Sequence, residues 1–271
     1  MADSGNLYAF IHNQALSGQP ALSFLSDQFT DIYEWRESTQ EYLQSLLLFL
    51  PEAIDLNPEL VDHTEYDSYI QQKWYITSSP GERIPVILLL PRGITGRTPA
   101  ILALHDHGGR YFFGKKKLIS EENEPEILIE YRNELYDGAA IANELVQRGY
   151  IVAVIDSFYF GERRLDIPPP VEMQQEFLLA AEGSTQWLHL VDRVCASMEP
   201  TIAKSLCWAG TTWPGIMAWD DRRTIDFLLT IPEVDPARIG CIGFAMGGLR
   251  SALLSACDRR VKATCIAGWM S

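Results

Sequence analysis

The chain lacks an excess of positive charge and has no long apolar run. Its 271 residues include 22 Lys and Arg against 36 Asp and Glu, which gives a formal net charge of −14. Because nucleic-acid backbones and anionic membrane surfaces bind cationic faces, we expect neither as a partner. No apolar stretch approaches the roughly 20 residues that span a bilayer, and the N-terminal residues contain no basic region followed by an apolar one. We therefore predict a cytoplasmic protein.

Cysteine is scarce and shows no pairing pattern. The cysteines are odd in number and include no Cys-x-x-Cys pair, so we expect reduced thiols rather than a disulfide framework. Two of them lie in apolar, strand-like runs, and most should be buried. The five are Cys195, Cys207, Cys241, Cys257 and Cys265.

Apolar periodicity divides the chain into an arm and a core. Spacings of three and four between apolar residues predict helix from about residue 21 to 50, within an N-terminal helical arm over residues 1–70. Residues 71–271 alternate short apolar runs with a helical pattern, which is typical of a mostly parallel, doubly wound α/β sheet covered on both faces. The predicted strands are 73–77, 84–90, 100–105, 150–155, 238–242 and 261–266.

Residues 161–215 interrupt this alternation. They include three consecutive prolines, 168–170, and two predicted helices, 172–182 and 185–208. An insertion at this point in the chain would lie above the carboxyl edge of the sheet, so we predict a helical lid.

The segment from Gly243 to Gly248 has the frame of a nucleophile elbow. In that motif, Gly-x-Ser-x-Gly follows a strand and opens a helix, so that the serine is exposed on a strained turn. Here Gly243, Gly247 and Gly248 are present, but Ala245 occupies the serine position. The alternative is a tight glycine turn, which could hold phosphate at the helix N-terminus. The spacing does not fit the Gly-x-Gly-x-x-Gly dinucleotide fingerprint.

Residues 105–109, His-Asp-His-Gly-Gly, follow a predicted strand and could supply a backbone donor to an oxyanion. Such a site pairs the N–H after the nucleophile, here that of Met246, with one from an earlier strand's loop, here that of His107 or Gly108. Three other interpretations remain: a structural turn, metal ligation by the His-Asp-His run, and a general-base role for His105 or His107.

The combined motifs resemble the α/β-hydrolase superfamily, and within it the dienelactone-hydrolase and acetyl-xylan-esterase-like branch, over about residues 74–271. The resemblance implies an α/β-hydrolase fold, a serine where Ala245 stands, and a catalytic acid and histidine later in the chain. No histidine follows His189 and no acid follows Asp258. We therefore expect the acid and histidine to lie outside this chain, and C-terminal strands of the fold to be absent. The motifs are residues 105–109, 156–163, 219–228, 232–235, 238–240 and 243–248.

The function predicted from this resemblance is a carboxylic-ester hydrolase that works through an acyl-enzyme on a small-molecule ester. Ala245 should make this chain inactive, because a methyl group cannot attack a carbonyl. An engineered serine-to-alanine change fits the intact glycine frame better than natural loss does. The alternatives are a catalytically silent binding or scaffolding protein, and a peptidase. No metal or organic cofactor is implied, and a homo-oligomer or a second polypeptide could complete the sheet.

Two charged runs have no assigned role in this chemistry. Lys115, Lys116 and Lys117 precede an acidic stretch and predict a surface patch, which could alternatively steer an acidic substrate. Residues 220–223, Asp-Asp-Arg-Arg, head a predicted helix and suggest a solvated face of ion pairs.

Overall fold

The computed structural model describes residues 5–16 and 22–269. The chain divides into two compact units, Met1–Leu46 and Leu47–Ser271. The first contains a 3-10 turn (Gly5–Leu7), helix α1 (Tyr8–Leu16) and nearly all of helix α2 (Ile32–Leu47). Asp31 caps α2, since its carboxylate accepts the N–H of Tyr33 at 2.8 Å.

In the described part of the second unit, seven strands form one sheet in the order β1-β2-β3-β5-β4-β6-β7. Strands β1, β2 and β3 are antiparallel neighbours and β3 is antiparallel to β5, whereas β5, β4, β6 and β7 run parallel. The sheet is therefore mixed rather than mostly parallel. The two-residue turn at Pro80 and Gly81 allows only an antiparallel return. The strands are β1 (Glu59–Glu65), β2 (Tyr69–Ser79), β3 (Glu82–Pro91), β4 (Thr98–Leu104), β5 (Ile151–Ile155), β6 (Val234–Phe244) and β7 (Val261–Ala267).

Helices cover both faces of this sheet, as the doubly wound pattern predicted. One apolar cluster joins Leu88 and Leu102 of the sheet to Phe227 and Leu254 of two helices. The cluster on the opposite face includes Val146 of a third helix. The helices of this unit are α3 (Glu126–Leu135), α4 (Ile141–Gln147), α5 (Gln174–Leu179), α6 (Thr185–Trp208), α7 (Trp213–Leu228) and α8 (Met246–Cys257), with 3-10 segments at Tyr111–Leu118, Gly161–Arg163 and Val171–Met173.

Several boundaries differ from those predicted. Residues 59–65, assigned to the helical arm, form the first strand of the sheet. In the predicted lid, α6 has the predicted bounds, whereas α5 is shorter than the predicted helix at 172–182. The predicted absence of C-terminal strands is not supported, because β6 and β7 are both present and paired from Ile239 and Val261 to Phe244 and Ala267.

All five thiols are free: Cys195, Cys241 and Cys257 are buried, whereas Cys207 and Cys265 are exposed.

Within residues 5–16 and 22–269, no helix combines the length and the apolar character that a membrane crossing requires.

Candidate active site

Ala245 lies on a sharp turn between β6 and α8. Its backbone angles are φ 51° and ψ −114°, a region that residues with a side chain rarely occupy. Its N–H donates to the carbonyl of Ala267 at 2.9 Å, and its carbonyl accepts the N–H of Leu249 at 3.0 Å. These two bonds tie the turn to β7 and to the first turn of α8, so the conformation at position 245 is fixed from both sides.

The glycines of this turn are required by close backbone approach. A Cβ on Gly243 would lie 2.1 Å from the carbonyl oxygen of Gly247, and one on Gly247 would lie 2.0 Å from that of Leu104. A Cβ on Gly248 would lie 2.9 Å from the carbonyl oxygen of Ala267. The contact between Gly247 and the end of β4 brings the turn beside the segment that begins at His105.

His105 is fully buried and both of its ring nitrogens are used. Nδ1 lies 2.8 Å from the carbonyl oxygen of Asp106, and Nε2 accepts the N–H of Ser157 at 3.1 Å. This pattern assigns a neutral ring with its proton on Nδ1. Burial, reinforced by the positive charges of Lys117 and Arg250, lowers the pKa of His105 well below its ordinary value. His105 therefore connects the end of β4 to Ser157, the second residue after β5, and has no nitrogen available as a base.

His107 is also engaged at both nitrogens. Nδ1 accepts the N–H of Gly109 at 3.1 Å, and Nε2 lies 3.2 Å from a carboxylate oxygen of Glu199 in α6. The hydroxyl of Tyr111 donates to the same carboxylate. This arrangement holds the loop in place and gives each ring nitrogen of His107 a hydrogen-bond partner.

The lysine run at 115–117 is not the predicted surface patch. Lys115 and Lys117 are buried and only Lys116 is exposed. The ammonium of Lys115 lies 2.6 Å from Asp156 and 2.5 Å from Glu162. The ammonium of Lys117 lies 3.0 Å from the carbonyl oxygen of Asp106 and 2.7 Å from that of His107. Burial lowers the pKa of Lys117 to about 8, against the opposing charge of Asp106.

Residues 220–223 also differ from their prediction as a solvated face. Asp220, Asp221 and Arg223 are buried. The Asp220 carboxylate accepts from Arg163 at 2.6 Å, and that of Asp221 accepts from Arg250 of α8 at 3.1 Å. These pairs fix α7 against the elbow helix and the segment after β5, because an unpaired buried charge would be strongly destabilising.

Helix α6, in the predicted lid, contacts the loop that follows β4. Asp192 accepts the N–H of Phe112 at 3.2 Å and lies 3.4 Å from the guanidinium of Arg110. Arg110 also donates to Nδ1 of His189 at 2.8 Å. Met246 packs in the same apolar cluster as Tyr111 and Cys195 of α6. Helix α6, the loop after β4 and the first residue of α8 thus meet at the carboxyl edge of the sheet.

The predicted site residues therefore divide into two groups. The structure places Gly243, Ala245, Met246, Gly247 and Gly248 on one turn, beside the loop that carries His107 and Gly108. Among residues 5–16 and 22–269, no group of three or more His, Cys, Asp or Glu side chains is placed to hold a metal ion. The sequence analysis missed that Lys117, Asp192 and Glu199 hold this loop and the residues after it. The available signals were the lysine run, for Lys117, and the helical spacing of the two acids.

Comparison with known proteins fits this geometry. A model of the Abhydrolase family matches residues 6–172. The chain belongs to the Abhydrolase family. A second model, of the dienelactone hydrolase family, matches residues 133–267 of this Abhydrolase family member, which agrees with the resemblance seen in its motifs.

Relatives of this Abhydrolase family member are longer than it is. "Putative hydrolase YtaP" of Bacillus subtilis (strain 168) is 26% identical over 227 residues, which are 84% of this chain and 62% of that protein. A structure described as a putative acetyl xylan esterase, from Bacteroides fragilis NCTC 9343, has a TM-score of 0.71 at 18% identity and covers 95% of this chain and 59% of its own. A CE15 glucuronoyl esterase from Teredinibacter turnerae T7901 has a TM-score of 0.53 at 17% identity, over 93% of this chain and 56% of its own. These likenesses establish the α/β-hydrolase fold.

Proposed function

We propose that this chain carries the nucleophile position and oxyanion loop of a carboxylic-ester hydrolase that works through an acyl-enzyme. The supporting observation is the backbone of Ala245, with φ 51° inside an intact glycine frame. A non-glycine residue held in a sparsely populated region costs on the order of 1–3 kcal/mol, and such strain is concentrated at functional sites. An alanine makes no use of that conformation, whereas a serine at the same position would have its hydroxyl raised above the sheet edge.

The proposed oxyanion donors are the N–H of Met246 and those of His107 and Gly108. Met246 begins α8, where the first backbone N–H groups have no carbonyl partner within the helix and the helix dipole favours negative charge. The contact between Gly247 and the end of β4, where the loop of His107 and Gly108 begins, supports this pairing. Donors fixed in this way stabilise the tetrahedral intermediate of acyl transfer.

The catalytic histidine and acid are proposed to come from polypeptide that this sequence does not contain. His105 and His107 have both ring nitrogens engaged, and His189 accepts from Arg110. His63 lies on β1, the edge strand farthest from β6 in the strand order. The chain spans 62% and 59% of the length of two relatives, so we propose the esterase activity for the whole protein.

The test is the product of the complete reading frame carrying Ala245→Ser, assayed with p-nitrophenyl acetate. Restoring the nucleophile should raise kcat by at least about 1,000-fold over the alanine protein, because loss of a triad serine costs roughly a millionfold. Ala252→Ser, in the same helix but away from the turn, is the matched control and should leave the rate at the alanine level. If the serine protein folds and has no turnover, the esterase proposal is wrong.

Ala245 itself favours a second candidate, a binding protein that retains the site without turnover. The codon at position 245 in the genome separates the two candidates: serine supports the enzyme, whereas alanine supports the binding protein. Assaying a p-nitroanilide beside the ester tests the peptidase alternative, since hydrolysis of the amide at a rate comparable with the ester would favour a peptidase.

A further inference from the structure

Lys117 lies beneath the loop that carries the proposed donors. It is fully buried at the end of the 3-10 segment Tyr111–Leu118. Its ammonium reaches two successive main-chain carbonyls, those of Asp106 at 3.0 Å and His107 at 2.7 Å. The same ammonium faces the rings of Phe160 and Tyr131, at 4.9 and 5.5 Å from their centroids.

Because the peptide unit is planar, these two contacts also fix the direction of the adjoining N–H groups. The peptide bonds are trans, so the C=O and N–H of one unit point in opposite directions. The carbonyl of Asp106 shares its unit with the N–H of His107, and the carbonyl of His107 shares its unit with the N–H of Gly108. With both carbonyls turned toward Lys117, both N–H groups point away from it. Neither N–H meets a protein acceptor among the residues that the structure describes.

The carboxylate of Asp106 would ordinarily compete for one of these donors. An Asp side chain readily accepts the N–H two residues later in an Asx turn, which here belongs to Gly108. In this structure Oδ2 accepts the hydroxyl of Tyr131, and Oδ1 accepts that of Tyr136. Each carboxylate oxygen is thus held by a tyrosine, and among the described residues the N–H of Gly108 makes no hydrogen bond to this carboxylate.

We propose that Lys117 is a positioning residue that directs the N–H groups of His107 and Gly108 together toward the oxyanion site. This inference rests on the proposed function for the role of the two N–H groups as oxyanion donors. The direction of the N–H bonds does not depend on that function. The neighbouring lysines cannot replace Lys117, because Lys115 binds the carboxylates of Asp156 and Glu162, and Lys116 reaches Glu121 at the surface.

The decisive measurement is the direction of the two N–H bonds by NMR residual dipolar couplings, in the unmodified chain, Lys117→Met and Lys116→Met. Methionine keeps an unbranched side chain, one atom shorter than that of lysine, and removes its donors. We expect the couplings of His107 and Gly108 to fit the structure in the unmodified protein and in Lys116→Met. In Lys117→Met those of Gly108 should lose that fit, and those of His107 should change less, because Nδ1 of His105 also donates to the carbonyl of Asp106 at 2.8 Å. Couplings in β4 and α8 should keep their fit. A folded Lys117→Met protein with unchanged couplings at both residues would overturn the proposal.

Two further readouts make the test independent of folding and of the proposed function. If Lys117→Met does not fold, the unmodified protein is used instead. There, scalar couplings are measured across the hydrogen bonds from Lys117 Nζ to the carbonyl groups of Asp106 and His107. Absence of these couplings would refute the proposal. In the complete Ala245→Ser protein, Lys117→Met should lower kcat about 100-fold, the effect of losing an oxyanion donor, with little change in KM. Absence of turnover in Ala245→Ser itself would contradict the esterase proposal and leave the dipolar couplings to decide the role of Lys117.

Discussion

Ala245 occupies a conformation in which glycine would be less strained. At φ 51° and ψ −114° its Cβ is crowded by neighbouring backbone atoms, and the bonds to Ala267 and Leu249 keep it there. The strain therefore belongs to the turn, and a serine at this position would bear it as well.

Ala245→Gly should accordingly stabilise the protein. Relief of about 1–3 kcal/mol of strain exceeds the roughly 0.5–1 kcal/mol that glycine adds through the entropy of the unfolded chain. We expect a net gain of about 1 kcal/mol, measured by urea unfolding followed by circular dichroism. Ala252→Gly, in the interior of α8, is the matched control and should be destabilising. If both variants lose stability equally, position 245 is not strained.

Individual contacts also show what a sequence pattern cannot reveal. Lys117 binds carbonyls 10 and 11 residues earlier in the chain, and a main-chain acceptor leaves no side-chain signature. Asp220 meets Ser78 across 142 residues, and Asp221 meets Arg250 across 29. Charged runs indicate solvated faces only when no distant partner is present, which is why both predicted surface patches were wrong.

Among the helices, α6 holds residues 110–112, which follow the loop 105–109, through the buried carboxylate of Asp192. Burial raises the pKa of Asp192, while the N–H of Phe112 and the guanidinium of Arg110 bind its carboxylate. Asp192→Asn should replace a charged acceptor by a weaker one, at a cost of about 1–3 kcal/mol. Hydrogen exchange at the amide of Phe112 should accelerate.

The control for this prediction is Glu176→Gln. It removes an exposed ion pair between Glu176 of α5 and Arg193 of α6. Exposed pairs contribute about 0–1 kcal/mol, so this change should leave the Phe112 amide unaffected. Equal exchange at Phe112 in both variants would show that the acid does not hold the segment.

The predictability of each element follows from the contacts it makes. Strand β5 is buried along its length and α6 spans the predicted range, because continuous apolar runs and helical spacing report directly on burial. The elbow could be predicted because its glycines meet backbone atoms within a few residues or on the adjacent strand. Strand β1 was missed because its residues are mostly exposed and it pairs on one side only, so it lacks the apolar alternation that identifies a strand.

At the scale of the whole molecule, strand order brings distant residues to one edge. Strand β4 lies between β5 and β6, so the segments after all three strands meet at the carboxyl edge although they are far apart in the chain. That edge also carries an ionic network, in which the buried Lys115 binds the buried Asp156 directly after β5 and the more exposed Glu162 a few residues later. In such a network the charge state of one carboxylate is linked to the stability of the fold.

Glu162 makes that linkage measurable. Burial acts to raise its pKa, but the charge of Lys115 and hydrogen bonds from Lys115, Lys73 and Tyr75 outweigh it and lower the pKa to about 2. A carboxyl with a depressed folded-state pKa contributes stability above its ordinary value of 4.5, and this contribution is lost as the pH falls from there toward 2. Glu162→Gln should therefore be less stable than the unmodified protein at pH 7, and its urea midpoint should fall less steeply below pH 4.5. Glu130→Gln, at an exposed position of α3, is the control and should keep the steep pH dependence. If the urea midpoint of Glu162→Gln changes with pH in parallel with that of the unmodified protein, the stability of the network does not depend on this carboxylate.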